Sequence, residues 1–368
     1  MKTIHLKRLF LLSVVNIVGY LLVLNFDILE TDTREEEHEI NTSRILATTG
    51  SRKTNLSDDV NSTSASPEKS LLTPSSTRQR DTVAICAIQK GSLPFIDEWI
   101  DYNLAIGFDK IYIYDNSPDF ELQEWYENRN KTYIDITHFP GEVKQKAAYQ
   151  ACISKIKWEM DEKPKHTWIA FIDVDEYIVL KKHDHIIDLL EDTTKVSNVG
   201  GLALNWYMFG FHNQIKYKPL PLTKRFQMRE KGTNQHVKVI VRTDMMGNGG
   251  GMRNPHCYRY SNNSIATVDT NGKRLIEEPW FNVDGPSDVA VIHHYYTKSL
   301  EEYVSRCGRG RAGQKQNKAK DPSCRSEEEI LEEWQREMKE SVFDDSAWQV
   351  LKTRVSKYAK YDEIISAE

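Results

Sequence analysis

The sequence predicts an α/β fold: a mostly parallel sheet flanked by helices, with a transmembrane helix before it and a helical tail after it. Two observations carry this prediction. From Asp81 onward short apolar runs alternate with stretches of helical periodicity, the order expected of parallel strands joined by right-handed crossovers. One of those runs, Trp168-Ile169-Ala170-Phe171-Ile172, ends at Asp173-Val174-Asp175-Glu176. It reads as a strand buried on both faces that delivers carboxylates at its carboxyl end, the edge where open α/β sheets bind ligands.

The chain has 368 residues and a net charge of −5, with a pI near 6.2. That length suits one large domain with appendages, and the charge gives no reason to expect nucleic acid as a partner. Lys2, Lys7 and Arg8 precede an apolar run over residues 9–29, and acids dominate from Glu30 to Glu39. About 20 apolar residues span a bilayer, and positive charge keeps the preceding end cytosolic. Residues 1–8 therefore read as a cytosolic tail and 9–29 as a signal anchor contacting the membrane. The rival reading, a cleaved signal peptide, lacks a small-x-small site at the usual distance. Residues 30–80 have no aromatics and few apolar residues, the composition of a flexible stem. Asn41, Asn55 and Asn61 each begin an Asn-x-Ser/Thr acceptor there, as do Asn130 and Asn262 later.

The expected catalytic domain covers 81–315. Thr82 to Ile88 is the first strand, and Pro94 opens a helix in which Ile96, Trp99, Ile100 and Leu104 share a face and Gly107 ends it. Lys110 to Tyr114 is the second strand and runs into Asp115-Asn116-Ser117-Pro118. A helix over Phe120 to Asn128, a strand over Thr132 to Thr137 and a helix over Glu142 to Met160 lead to the Trp168 strand. Val289 to Ile292 is a later strand, ending at His293-His294. Residues 316–368 form a charged helical tail in which Glu327 to Lys339 reads as an exposed amphipathic helix. Of the five cysteines, Cys86 and Cys152 sit in apolar surroundings and read as small core residues. Cys307 and Cys324 flank a basic segment and could pair, which the sequence leaves open.

Two neighbouring aspartates repel each other and call for a cation between them. A hard divalent ion, Mn²⁺ or Mg²⁺, bound through oxygen and shared with substrate phosphates, meets that need. Parallel strands place Asp115 and Asn116 on the same edge, where they could contact a base or ribose; an ordinary side-chain-bonded turn is the alternative.

The motifs Phe95-Ile96-Asp97-Glu98-Trp99-Ile100, Ile113-Tyr114-Asp115-Asn116-Ser117 and Phe171-Ile172-Asp173-Val174-Asp175-Glu176 resemble those of glycosyltransferase family 92 and related family 2-like enzymes of GT-A fold. Asn205 to Gly210, Lys238 to Arg242 and His293 to Ser299 continue the resemblance in order; Gln89-Lys90-Gly91 departs from it, where relatives carry an Asn-Glu pair. The resemblance implies a GT-A-like domain on a Golgi membrane. It also implies transfer, with inversion, of a sugar such as galactose from a nucleotide-sugar donor, a UDP-sugar, to a glycan or glycoprotein acceptor. By motif position Asp173, Asp175 and His294 would be the metal ligands. Asp115, Asn116, Asp173, Lys298 and Arg309 are the candidate donor contacts, with Arg306 and Arg311 nearby, since guanidinium forks match phosphate oxygens. Inversion needs a carboxylate base, and Glu176, Glu230 and Asp284 are all candidates. Trp206, Tyr207, Phe209 and Phe211 could stack on a sugar ring or fill the core.

Two other readings compete. A phosphohydrolase would use Asp173 as nucleophile, but its motif belongs on the first strand, whereas three strands precede this one. A catalytically inactive, membrane-tethered glycan-binding protein is the other, against which Asp173, Asp175 and His294 stand together.

Overall fold

A computed structural model describes residues 80–158, 165–211, 213–309 and 324–363. The expected anchor at 9–29 and the stem before Arg80 lie outside these residues, as does Arg311. Among the described residues no helix is long and apolar enough to cross a membrane.

The first half follows the expected alternation. Strand β1 (Val83–Gln89) is buried along its whole length. Helix α1 (Ile96–Ala105) buries Ile96, Trp99 and Ile100 against the sheet, and Gly107 leaves it at a φ of 101°, a conformation open to glycine at little cost. Then come β2 (Lys110–Asp115), the short α2 (Gln123–Glu127), β3 (Ile134–His138), α3 (Gln145–Trp158) and β4 (Trp168–Phe171). Strands β1, β2, β3 and β4 are mutually parallel in the order β4-β1-β2-β3. Their carboxyl ends therefore open on one edge of the sheet.

Beyond β4 the sheet is mixed. The chain breaks after Phe171, carries both aspartates through a turn, and resumes as β5 (Glu176–Leu180). After helix α4 (Ile186–Thr193) comes β6 (Val199–Met208), and after the single turn α5 (Leu222–Arg225) and the two-residue β7 (Met228–Arg229) comes β8 (Asn234–Arg242). Strand β8 inserts between β4 and β6 and is antiparallel to both. Strands β9 (Gly251–Asn254) and β10 (Cys257–Arg259) form a hairpin, and β11 (Ala266–Val268) and β12 (Arg274–Leu275) extend the sheet. Finally β13 (Ala290–His294) runs parallel to β6 and antiparallel to β5. Apolar periodicity reports burial rather than strand direction, so the antiparallel insertion is invisible to it.

The carboxyl-terminal segment is part of this body. Helix α6 (Leu300–Arg309), helix α7 (Glu327–Glu337), strand β14 (Val342–Phe343) and helix α8 (Ser346–Arg354) follow β13. Ala347, Trp348 and Leu351 of α8 belong to the main core with Trp99 and Tyr177. Ile330 and Trp334 of α7 pack with Phe211, Leu300 and Tyr303, and β14 pairs with β7. The segment read as an exposed tail thus closes the core, and its charge is the solvent face of helices that bury a narrow apolar stripe. Cys86 of β1 and Cys152 of α3 form a disulfide, as do Cys307 and Cys324. The first pairing corrects the reading of Cys86 and Cys152 as separate core residues: the apolar site is real, but it brings both sulfurs together.

Candidate functional site

The turn between β4 and β5 sends its two aspartates to different partners. Asp173 Oδ1 accepts hydrogen bonds from Gln145 Nε2 (2.8 Å) and Tyr149 OH (2.9 Å), both on α3, and its Oδ2 accepts one from Lys238 Nζ at 2.8 Å. Lys238 comes from β8, is almost fully buried, and lies 3.8 Å from Glu176 Oε2 as well. Burial opposes ionisation of Asp173, but Lys238 overcomes it and holds the carboxyl below its usual range. Lys238, Gln145 and Tyr149 are site residues to which the sequence reading gave no role. A lysine inside the apolar run Val237 to Val241 is the one signal that pointed to it, since a buried lysine needs a carboxylate.

Asp175 faces the other way. Its Oδ2 accepts a 2.7 Å bond from Lys298 Nζ, and its Oδ1 lies 3.8 Å from His294 Nε2. Burial would raise this carboxyl, yet Lys298 first and His294 after it hold it well below the usual carboxylate range. Burial pushes His294 down to about 4, so the imidazole is neutral at physiological pH and keeps the lone pair a metal ligand needs. Strand alternation separates the two adjacent histidines. His294 turns to Asp175, whereas His293 is fully buried against Phe209, with ring centroids 4.5 Å apart.

Among the described residues no three His, Cys, Asp or Glu side chains form a group that would hold a metal ion. The expected set of Asp173, Asp175 and His294 is therefore not assembled, because both oxygens of Asp173 are already engaged. Asp175 Oδ1 and His294 Nε2 are the two groups here that would be available to a hard cation, which commonly binds through one or two protein groups and completes its shell with water and substrate phosphates. The same engagement of Asp173 disfavours it as a phosphohydrolase nucleophile.

Three cations neighbour Asp175. Lys298 adopts a φ of 57°, an uncommon conformation for a side-chain-bearing residue and one that clusters at functional sites. It leads into α6, which carries Arg306 and Arg309. Arg306 Nη1 donates to the Tyr296 carbonyl, and Arg309 Nη1 donates to the Gly91 carbonyl at 3.2 Å in the loop after β1. A Cβ on Gly91 would collide with that guanidinium. Helix α6 is fixed by a two-pronged ion pair in which Arg225 Nη1 and Nη2 donate to Glu302 at 2.8 and 3.0 Å.

Other candidates fall elsewhere. Asp115 is fully buried; its oxygens accept from Ser117 N and Oγ and from Leu122 N. Asn116 donates to the Phe139 and Gly141 carbonyls. Both residues build the loop at this edge: the Asp115 carboxylate and the Asn116 amide N–H groups are engaged by the protein itself. The side-chain-bonded turn is what the structure contains. Glu176 is fully buried, raised well above its usual range by that burial, and receives the Asp173 backbone N–H, so it cannot reach an acceptor. Asp284 is exposed on the loop before β13 with a φ of 50°. Glu230 is also exposed, its carboxyl still raised by partial burial. Its N–H donates to the Met208 carbonyl, and Met208 pairs with His294 across β6 and β13.

Residues 90–275, half of the chain, match the sequence profile described as Glycosyltransferase family 92. A family 92 protein of Oryza sativa subsp. japonica is 24% identical over 230 residues, covering 62% of this chain and 32% of that relative. One of Ricinus communis is 28% identical over 230 residues, covering 60% and 36%. The chain thus spans about a third of the length of these curated relatives. Among solved structures, HddC from Yersinia pseudotuberculosis aligns with 62% of this chain and 98% of its own, at 11% identity and a TM-score of 0.29.

Proposed function

The chain belongs to glycosyltransferase family 92, and from that premise we propose that it transfers a sugar from a nucleotide-sugar donor to a hydroxyl of a glycan or glycoprotein acceptor. The observation that carries this reading is Asp175, set between the Lys298 ammonium and the neutral His294 imidazole at the carboxyl edge of the sheet. A donor of this class breaks the bond between its anomeric carbon and a diphosphate oxygen, and the electron pair leaves with the diphosphate. Fixed positive charge at that position stabilises the departing group as its charge grows.

In this reading Asp175 and His294 would hold Mn²⁺ or Mg²⁺, which when bound would supply Lewis-acid stabilisation of the leaving diphosphate. Lys298, Arg306 and Arg309 bind phosphate oxygens. Asp173, held by Lys238, Gln145 and Tyr149, anchors the turn that aims Asp175. Transfer is inverting: the acceptor hydroxyl oxygen bonds to the anomeric carbon on the face opposite the diphosphate, and its proton passes to the Glu230 carboxylate. Glu230 is preferred to Glu176 and Asp284 because it is exposed beside the strand pair that carries His294. A UDP-sugar, with galactose as the first candidate, is the expected donor.

The protein is placed in this reading as a single-pass Golgi membrane protein anchored by residues 9–29, with its catalytic domain in the lumen. Two disulfides support an oxidising compartment. Incubating the purified chain with a panel of sugar nucleotides, with and without Mn²⁺, and measuring nucleoside diphosphate release tests the activity. Metal-dependent release from one donor class is expected, and release from none, with the protein folded, would overturn it.

A further inference from the structure

One line of rings leads away from His294. Its imidazole lies 4.4 Å from the Trp206 ring, and Trp206 stacks on His236 at 5.1 Å. His236 meets Phe281 at 4.8 Å, Phe281 meets Trp280 at 6.1 Å, and the Arg253 guanidinium lies 4.5 Å over Trp280. Trp206 is buried, whereas His236, Phe281 and Trp280 are half-buried and therefore partly accessible along the line. The Trp206 indole N–H is buried and has no hydrogen-bond partner among the described residues, an arrangement that costs free energy unless a ligand oxygen accepts from it. Aromatic faces with a few unpaired donors suit pyranose rings, which offer C–H surfaces to stack and hydroxyls to bond.

The far end of this line is cationic. Arg253 also lines an open cleft on the hairpin side whose walls include Arg259 and Arg274. Arg274 donates to the Ser264 carbonyl, and no Asp or Glu is among the residues lining this cleft.

We propose that the acceptor is an anionic oligosaccharide, seated along the rings from Trp206 to Trp280 with its acidic group in the Arg253, Arg259 and Arg274 cleft. The proposal rests on the transferase reading for which end of the glycan reacts, but not for whether the glycan binds. An acceptor held this way is selected by rings distant from the reacting hydroxyl, and a single sugar fills only the end beside His294.

The test is binding of the full-length chain, in detergent and without donor, to a glycan array. The array carries neutral, sialylated and sulfated oligosaccharides in lengths of one to five sugars. Longer acidic glycans should bind best, and Trp280→Ala should lower the ratio of five-sugar to one-sugar affinity about tenfold. Arg253→Ala with Arg259→Ala should abolish the preference for acidic over neutral glycans. Binding to no oligosaccharide, equal binding of neutral and acidic forms, or a length ratio unmoved by Trp280→Ala would each overturn the proposal. Because no donor is present, a protein that transfers no sugar but binds acidic glycans in this pattern would refute the transferase reading alone.

Discussion

Two carboxylates one residue apart do different work. Asp173 is bound on both oxygens by Gln145, Tyr149 and Lys238, whereas Asp175 offers Oδ1 towards His294. Asp175→Asn should therefore cut metal-dependent turnover by about 30- to 1,000-fold, the effect of losing about 2–4 kcal/mol of stabilisation of the departing diphosphate. Asp173→Asn should instead lower stability by leaving the buried Lys238 without its closest counter-charge; chemical denaturation separates the two effects. Glu230→Gln should reduce kcat by about 10²- to 10⁴-fold if Glu230 is the base. Because partial burial raises the Glu230 carboxyl, the acidic limb of the wild-type kcat profile should lie above the ordinary glutamate range, and the limb should vanish in Glu230→Gln. A retained limb in that variant would move the role to another residue.

At the scale of elements, helix α6 links the core to the basic group around Asp175 through Arg225 and Glu302, and Arg225 is almost wholly buried. Glu302→Ala should cost about 3–5 kcal/mol by stranding that guanidinium, and it should weaken donor binding because Arg306 and Arg309 ride on the same helix. The Cys86–Cys152 disulfide ties β1 to α3, which supplies Gln145 and Tyr149. Removing it by Cys152→Ala should cost about 2–5 kcal/mol in a urea melt. These elements also mark what was legible in the sequence. Strands β1, β2, β3, β4 and β13 were found within a residue or two, because each is a short apolar run between turn residues. So was the pairing of Cys307 with Cys324, as a possibility. Less was legible where a side chain's role depends on its surroundings. Nothing in Asp115-Asn116-Ser117 distinguishes a turn that binds its own backbone from one that binds a ligand. Lys238 needed β8 to lie beside β4, and Glu327 to Lys339 concealed Ile330 and Trp334 within a charged run.

Across the whole molecule, buried neutral histidines should set the acid limit of stability. Burial pushes His256 and His293 from 6.5 down to about 3. Above pH 6.5 folded and unfolded chains bind the same protons at these sites, so stability is complete there. As the pH falls below 6.5 the unfolded chain takes up protons that the folded chain refuses, and stability declines until the folded histidines titrate near 3. Thermal melts should fall steadily from pH 6.5 to about 5, before most carboxylates contribute, and His293→Phe should flatten that slope. The central claim is that Asp175 and His294 hold a divalent ion for a nucleotide-sugar donor, and Mn²⁺ binding followed by electron paramagnetic resonance in the presence of UDP tests it most directly. UDP-dependent Mn²⁺ uptake is expected of the wild-type protein, lost in Asp175→Asn and in His294→Ala but retained in a folded His293→Ala. Equal Mn²⁺ uptake by all four proteins would contradict it.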